Sequence, residues 1–558
     1  MIIRAITIEN FKSIKTPVRI ELRPITLLYG PNSVGKSSII QALHYAREIM
    51  IHLYPSSDLP ESGGGILRLG GFQNLVHNHD LNNAIRFRFE LDTSRFGESG
   101  EEPFGDCRYS QTSFYDLLSR FPEDIQQVTE IFEKKIEQHN LPWFELVIQQ
   151  LSPETVPHVT AAAIGFGEVK ILSIQNDLLK KFDAFNKYMA IRRTSLGQGE
   201  ELKQAEQEYD KCVLQITHLD VNDPLLLIEN KQFLSSIVLN NKVLSRSGYE
   251  EDFPRISVSF RDLSQYYEDH SKKEIAASLD YFGSYLDAIY QIIVKTVMED
   301  LDDFRYVGPL REIPSANFIP SPGVESHRWA NGLAAWDYVR YNRDDSIENT
   351  NFWFSELRVG YKVVLKEYRK LDINTTFYKA LAEQSNYKQW TDIQKELEKL
   401  PIEKKVIFQD INSGIELEPT DVGVGISQVF PLIPLILSGE GLQDMNRHGM
   451  VAIEQPELHI HPAMQATLAD LFEEGLGNQH NCFGWKRFII ETHSEHLLLR
   501  FLRRIREGST YICDDLSINF LEPSKDGVKV THIRVDKEGE FIDPWPHGFF
   551  NERAEELF

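Results

Sequence analysis

Three observations predict an α/β fold with a mixed β-sheet and flanking helices, interrupted by a large helical insertion. First, the apolar run Ile25-Thr26-Leu27-Leu28-Tyr29 leads into Gly30-Pro31-Asn32-Ser33-Val34-Gly35-Lys36-Ser37. Behind it Ile39, Ile40, Leu43, Ala46 and Met50 recur at helical spacing. Second, two later apolar runs, Met450 to Ile453 and Phe488 to Ile490, end in polar turns, and the second feeds a helix. Third, strand-like alternation opens the chain and returns near residue 406. A strand, a glycine loop and a helix in that order form the unit that cradles phosphate.

Ile2 to Ile8 reads as a strand, Asn10 to Ser13 as a turn, and Val18 to Leu22 as a second strand. In the loop, Gly30 and Gly35 let backbone N–H groups turn toward phosphates, and the helix start adds a positive dipole end. Lys36 suits the β- and γ-phosphates as a point charge, and the Ser37 hydroxyl suits Mg²⁺. Pro55 to Gly71 is loop, followed by Phe72 to His77 and the alternating run Ile85 to Leu91.

Composition changes from about residue 95 to 300. Phe114 to Glu137 and Leu178 to Ile191 read as charged helices, and Ile256, Val258 and Phe260 alternate as a strand. Ile275 to Val297 has the spacing of a long amphipathic helix. The expected division is 1–95 as the N-terminal lobe, 96–300 as a mainly helical insertion, and 301–405 as a return strand, loop and helical connection. A C-terminal lobe follows at 406–540, with a tail at 541–558. Within the connection, 365–405 reads as charged and helical.

At 558 residues the chain is long for one domain of roughly 150 residues. Its net charge of −24 argues against wrapping nucleic acid by bulk charge, though not against a local basic groove. Cys107, Cys212, Cys482 and Cys513 are scattered, which suits reduced thiols in the cytoplasm. The start shows no signal-peptide pattern, and no apolar window is long enough to span a membrane.

Three stretches add to the phosphate loop. Asp421-Val422-Gly423-Val424-Gly425-Ile426-Ser427-Gln428 opens an apolar helix (Val429 to Leu437) and makes a second anion-binding nest. A second nest in one chain makes sense if it closes over a nucleotide held by another subunit. Met450-Val451-Ala452-Ile453-Glu454-Gln455-Pro456-Glu457 ends a strand in acids, which can serve a metal and orient water. Phe488-Ile489-Ile490-Glu491-Thr492-His493-Ser494-Glu495 ends a strand in Thr-His, where a histidine can meet a γ-phosphate.

This order of motifs resembles the ABC-type P-loop ATPases of the RecF/SMC/OLD group. Ile8-Glu9-Asn10-Phe11-Lys12-Ser13 and the phosphate loop look like that group's N-terminal lobe, and Glu454 to Pro462 is close to its Glu-Glu-Pro-Glu-x-His-Leu-His-Pro stretch. Tyr306 to Arg311 and the tail Asp543 to Glu552 look like a subfamily found beside a second gene in antiphage defence, such as the Septu ATPase PtuA. The resemblance covers 1–95 and 300–558. It implies that Asn32, Ser33, Gly35, Lys36, Ser37 and Ser38 bind the phosphates of ATP and Mg²⁺. Gln73 would sense the metal, and Gly425, Ser427 and Gln428 would act in trans across a head-to-tail dimer or higher oligomer. Glu454 would be the Walker B acid, His461 would sit in the dimer-contacting loop, and His493 would be the switch histidine. One departure stands out: Gln455 occupies the usual place of the catalytic glutamate. An amide can position water but cannot take its proton. Either Glu457 substitutes as base, or hydrolysis is slow and ATP acts mainly as a clamp.

Other patterns compete. His77-Asn78-His79 spells HNH without the scattered ββα-metal arrangement of those nucleases. Glu457, His459 and His461 could suggest zinc, but no further clustered ligands follow. Only 65 residues follow His493, so the Toprim nuclease of OLD-type enzymes is not expected here. Arg500, Arg503, Arg504 and Arg506 crowd one helix, as a solvated or dimer-facing surface or as a contact to DNA phosphates. Phe549-Phe550 suits packing or a partner hook. The resulting expectation is an ATP-dependent sensor or scaffold in antiphage defence that controls a separately encoded effector, a nuclease. A DNA-repair or DNA-clamping ATPase and a stand-alone ATP-driven toxin are the alternatives.

Overall fold

The computed structural model describes residues 2–51, 69–92, 141–150, 157–175, 293–315, 326–341, 345–370, 397–438, 449–476, 486–508 and 515–546, with short isolated pieces between them. Its strands in chain order are β1 (Ile2–Glu9), β2 (Val18–Glu21), β3 (Ile25–Tyr29), β4 (Ile85–Asp92), β5 (Pro142–Gln149), β6 (His158–Phe166), β7 (Val169–Gln175), β8 (Gln215–Leu219), β9 (Ile237–Asn240), β10 (Arg255–Val258), β11 (Arg305–Val307), β12 (Tyr361–Tyr368), β13 (Glu403–Asp410), β14 (Glu416–Leu417), β15 (Gly449–Glu454), β16 (Lys486–Glu491), β17 (Leu516–Ser524) and β18 (Gly527–Ile533).

The sheet that positions the site runs β11-β15-β16-β3-β17-β18. Its first five strands are parallel and β18 returns antiparallel. β16 therefore separates the phosphate-loop strand β3 from the acid-bearing β15. A parallel sheet covered on both faces takes near-continuous apolar strands, and β3 and β15 are buried at every position. Pleat parity sorts their side chains. Leu28, Met450, Ala452 and Ile489 join a core shared with the helix Lys36–Ile51 and strands β1 and β4. Ile25, Leu27, Val451, Ile453, Phe488 and Ile490 join the core on the other face, with Leu497 and Phe501. Each fully buried Leu or Ile is worth about 1.5–3 kcal/mol. By the same parity Glu454 and Glu491 face the side of the helix Lys36–Ile51.

The second large sheet, β2-β1-β4-β5-β6-β7-β8, is antiparallel throughout. It runs past residue 95, where the N-terminal lobe was expected to end; most of 96–300 lies outside the described residues. Past residue 95 the described chain is mostly strand and continues the N-terminal sheet. The physical reason is cross-strand pairing. Ile85, Phe87 and Phe89 on β4 stand opposite Ile148, Leu146 and Phe144 on β5, extending one apolar face. The expected helices Phe114 to Glu137 and Leu178 to Ile191 lie outside the described residues. The expected strand at Ile256 is β10, paired with β9, and 293–302 is helical as its spacing predicts.

The connection contains the helices Ser326–Ala330, Leu333–Arg340 and Ser346–Glu356. Its charged end is not all helix, however. β12 and β13 pair antiparallel from Tyr361↔Asp410 to Tyr368↔Glu403. Val363 and Phe408, buried opposite each other, supply the apolar face that charge had masked. The helix expected from Val429 to Leu437 is two, Val424–Val429 and Leu432–Leu437, broken at Pro431, which has no N–H to continue the ladder.

Two buried charges tie these parts. Arg487, at the start of β16, pairs with Asp300 and donates 2.6 Å to the Ile3 carbonyl, while Ile3 N donates 2.8 Å to Asp300 Oδ2. Lys486 Nζ donates 2.8 Å bonds to the Leu435 and Ile436 carbonyls at a helix C-terminus. In the tail, Trp545 makes edge-on contacts with Tyr29, Phe520 and Phe541. Phe549 and Phe550 lie outside the described residues. No described helix is long and apolar enough to cross a membrane.

Candidate nucleotide site

The phosphate loop sits where β3 meets the helix Lys36–Ile51. Gly30 has φ 141° and Gly35 φ 115°. A Cβ on Gly30 would stand 2.2 Å from the Leu521 carbonyl oxygen, and one on Gly35 would stand 2.4 Å from Ser13 Oγ. Only glycine fits both the dihedral and the space. Asn32 and Ser33 are exposed at the tip, while Lys36 and Ser38 are buried at its base. Lys36 Nζ donates 2.9 Å bonds to the Gly30 and Pro31 carbonyls. Burial holds its pKa down, while Glu491, Glu457 and Glu454 pull it back up.

Three acids converge on this loop. Glu454 ends β15 and accepts a 3.0 Å bond from the Tyr306 hydroxyl. Burial and the neighbouring Glu491 push its pKa up to about 7. Glu491 ends β16 directly beside it in register, and its Oε2 accepts 2.7 Å from Ser37 Oγ. Burial raises Glu491 too, against the opposing effects of that hydrogen bond and of Lys36. Glu457 is committed elsewhere. Its Oε1 accepts 2.8 Å from His493 N and its Oε2 accepts 2.9 Å from Thr492 Oγ1. It fastens the acid turn to the switch turn, which leaves it poorly placed as a base. Between them Gln455 has φ 45°, held by its N–H on the Glu491 carbonyl at 2.8 Å.

His493 Nε2 is buried and has no hydrogen-bond partner among the described residues. Burial, then Lys36, lowers its pKa, so the ring is neutral at pH 7. A neutral ring can donate one hydrogen bond to a phosphate oxygen. The orphaned nitrogen, the glycine cradle and a hydroxyl among acids fit a nucleotide triphosphate with Mg²⁺. Among the described residues no group of three His, Cys, Asp or Glu could hold a metal unaided, so a cation here would need phosphate ligands as well.

The remaining expected residues fare differently. Gln73 is exposed on the short helix Phe72–Leu75, and its carbonyl meets His79 Nδ1 at 2.8 Å; no described bond joins it to the acids. The second nest turns inward. Ser427 is fully buried and its Oγ donates 3.2 Å to the Pro419 carbonyl. Gln428 is bound to Arg311, and Gly425 lies so close to His459 that a Cβ would meet its carbonyl oxygen at 2.4 Å. Gly423 and Val424, at the helix start, are exposed. His461 caps the helix Pro462–Gly475, its Nδ1 accepting from Ala463 N, which accounts for it without zinc. His77 to His79 form a 3₁₀ turn, with His77 Nδ1 on the Lys12 carbonyl. The four arginines of the helix Glu495–Arg506 are ion-paired, to Asp470, Glu473, Glu507 and Glu540.

Sequence reasoning gave no role to Tyr306, Arg311 or Glu491. Arg311 Nη2 donates 2.8 Å to the Glu454 carbonyl, and burial lowers its pKa to about 10. The sequence shows that both apolar strands end in Glu, but only the strand order sets Glu491 beside Glu454.

Residues 1–48 and 342–498 match the family model for the AAA ATPase domain. Residues 25–135 match the model described as "AAA domain, putative AbiEii toxin, Type IV TA system". Solved structures similar to this chain include an SmcHead bound to the C-winged helix domain of ScpA, at 9% identity over 96% of this chain and 99% of that one, TM-score 0.35. The SMC head domain from Thermotoga maritima matches at 8% identity over 96% and 100%, TM-score 0.33. An Smc head with an extended coiled coil, bound to the C-terminal domain of ScpA derived from Pyrococcus furiosus, matches at 10% identity over 96% of each, TM-score 0.35. No curated protein matches the sequence significantly. The phosphate loop, the converging strand ends and the two AAA family-model matches support a P-loop ATPase. Both matches include the phosphate loop, and the first also takes in the strand ends at Glu454 and Glu491.

Proposed function

We propose that the chain is a slowly hydrolysing ATPase that assembles head-to-tail around ATP and Mg²⁺ and so controls a separately encoded effector, a nuclease, in antiphage defence. The observation that carries the slow clamp is at the acid turn. Gln455 stands where a proton acceptor belongs, and Glu457 has both carboxylate oxygens occupied by the switch turn. Lys36 and His493 can bind phosphate, so the site is equipped better to hold ATP than to cleave it. Mg²⁺ held by Ser37 and Glu454 would offset phosphate charge. Gln455 would orient water without taking its proton.

Assembly follows from incompleteness. Among the described residues no hydrogen bond joins the nest at 423–428 to the phosphate loop of the same chain. Its exposed start, Gly423 and Val424, is left to meet a second copy. ATP bridging two copies would shift the population toward the closed form, and its loss would release it.

Mass measurement of wild type and Lys36→Ala with ATP, ADP and no nucleotide tests this reading. ATP should raise the mass of wild type alone. Assembly indifferent to ATP and to Lys36 would discard the clamp. ATPase stimulation by DNA at low salt would replace effector control with DNA clamping.

A further inference from the structure

β15 and β16 run in parallel register, and the pair at their C-terminal ends is Glu454↔Glu491. Both side chains face the helix that begins at Lys36, and both residues are buried, 7% and 6% exposed. Glu491 receives the hydroxyl of Ser37, the group a phosphate loop offers to its cation, whereas Glu454 receives the hydroxyl of Tyr306. Magnesium takes one or two carboxylates beside phosphate oxygens, and a hydroxyl is a suitable hard ligand. Two adjacent buried carboxylates disfavour each other's charge, and a dication between them relieves that cost.

We propose that Glu491 is a ligand of the nucleotide-bound divalent cation, so that the cation is held by Ser37 and by one carboxylate from each of two adjacent strands, Glu454 and Glu491. This rests on the reading of the site as one for ATP and Mg²⁺. The sequence motif assigns the metal acid to β15 alone; the hydrogen bond to Ser37 places the closer acid on β16. Its strand also carries Thr492 and His493, so one β-strand end would hold the cation and present the switch histidine. A purely structural Glu491 would do no more than accept from Ser37, which an amide oxygen can also do.

The test uses the full chain with Mn²⁺ as probe. Paramagnetic resonance follows Mn²⁺ binding in the presence of a non-hydrolysable ATP analogue, and a fluorescent ATP analogue in EDTA follows metal-free nucleotide binding. Glu491→Gln should weaken Mn²⁺ binding at least tenfold while metal-free nucleotide affinity stays within threefold of wild type, and Glu491→Asp should recover part of the loss. Wild-type Mn²⁺ affinity in Glu491→Gln overturns the proposal. A parallel loss of metal-free nucleotide binding also overturns it, since Glu491 would then be supporting the loop. If wild type itself shows no nucleotide-dependent Mn²⁺ site, the ATP–Mg²⁺ reading fails first and this inference falls with it.

Discussion

The side chain of Gln428 satisfies both backbone polar groups of Arg311: Arg311 N donates 3.1 Å to Gln428 Oε1, and Gln428 Nε2 donates 2.7 Å to the Arg311 carbonyl. The Arg311 guanidinium then reaches the Glu454 carbonyl. The nest helix, the loop after β11 and the acid turn thus form one braced unit. Both residues are buried, so Gln428→Ala strands a buried donor and a buried acceptor. At about 1–3 kcal/mol for each unsatisfied group, the expected loss is roughly 2–6 kcal/mol. Urea unfolding should show a lower midpoint with an unchanged slope. Wild-type stability would mean that water replaces the amide and that the brace is dispensable.

Glu457 and Gln455 can be separated kinetically. Because Glu457 holds Thr492 and His493 N, Glu457→Ala should loosen the switch turn and weaken ATP binding several-fold. Because Gln455 lacks only proton affinity, Gln455→Glu should raise kcat by at least about 10²-fold, the lower end of the range for general base catalysis. Phosphate release across a range of ATP concentrations separates the two, through KM for Glu457→Ala and kcat for Gln455→Glu. An unchanged rate in Gln455→Glu, together with a dead Glu457→Gln that still binds ATP, would restore Glu457 as the base.

The phosphate loop and the two later strand ends were legible because each packs its chemistry into a few consecutive residues with a strand before them. What was hidden depends on register. Glu491 gains meaning only when β16 lies between β3 and β15, and Arg311 only when its loop is folded against Gln428, 117 positions away. Ser427 was expected to face a partner because a second nest in one chain suits a nucleotide held by another subunit. The turn geometry buries the fourth residue of that helix, Ser427, while Val424 remains outside. In β5 six of the eight positions are buried, so no period of two marked it as a strand.

The Arg487–Asp300 pair supports the opposite end of β16 from the site. Both side chains are about 5% exposed or less, and Asp300 also accepts from Ile3 N. Asp300→Ala would leave a buried guanidinium without its partner. Breaking such a pair costs about 3–5 kcal/mol. The melting temperature should drop accordingly, and Arg487→Met with Asp300→Leu together should recover part of the loss. Additive damage in the double variant would show that the pair is not the unit that matters.

Glu454 makes stability depend on pH when neither nucleotide nor metal is present. Its folded pKa is raised from 4.5 to about 7, by burial first and by Glu491 second. A raised carboxyl favours the folded state fully below the unfolded value. That contribution fades as pH climbs through the folded value, because the buried site resists the charge. The shift corresponds to roughly 3 kcal/mol, at about 1.4 kcal/mol per pH unit. In EDTA, urea unfolding of wild type should therefore weaken between about pH 4.5 and about pH 7. Glu454→Gln cannot ionise and still accepts from Tyr306, so its stability should fall less over the same window. Identical pH profiles for the two proteins would show that Glu454 ionises without cost, and that Lys12 and Arg311 already compensate its charge in the empty site.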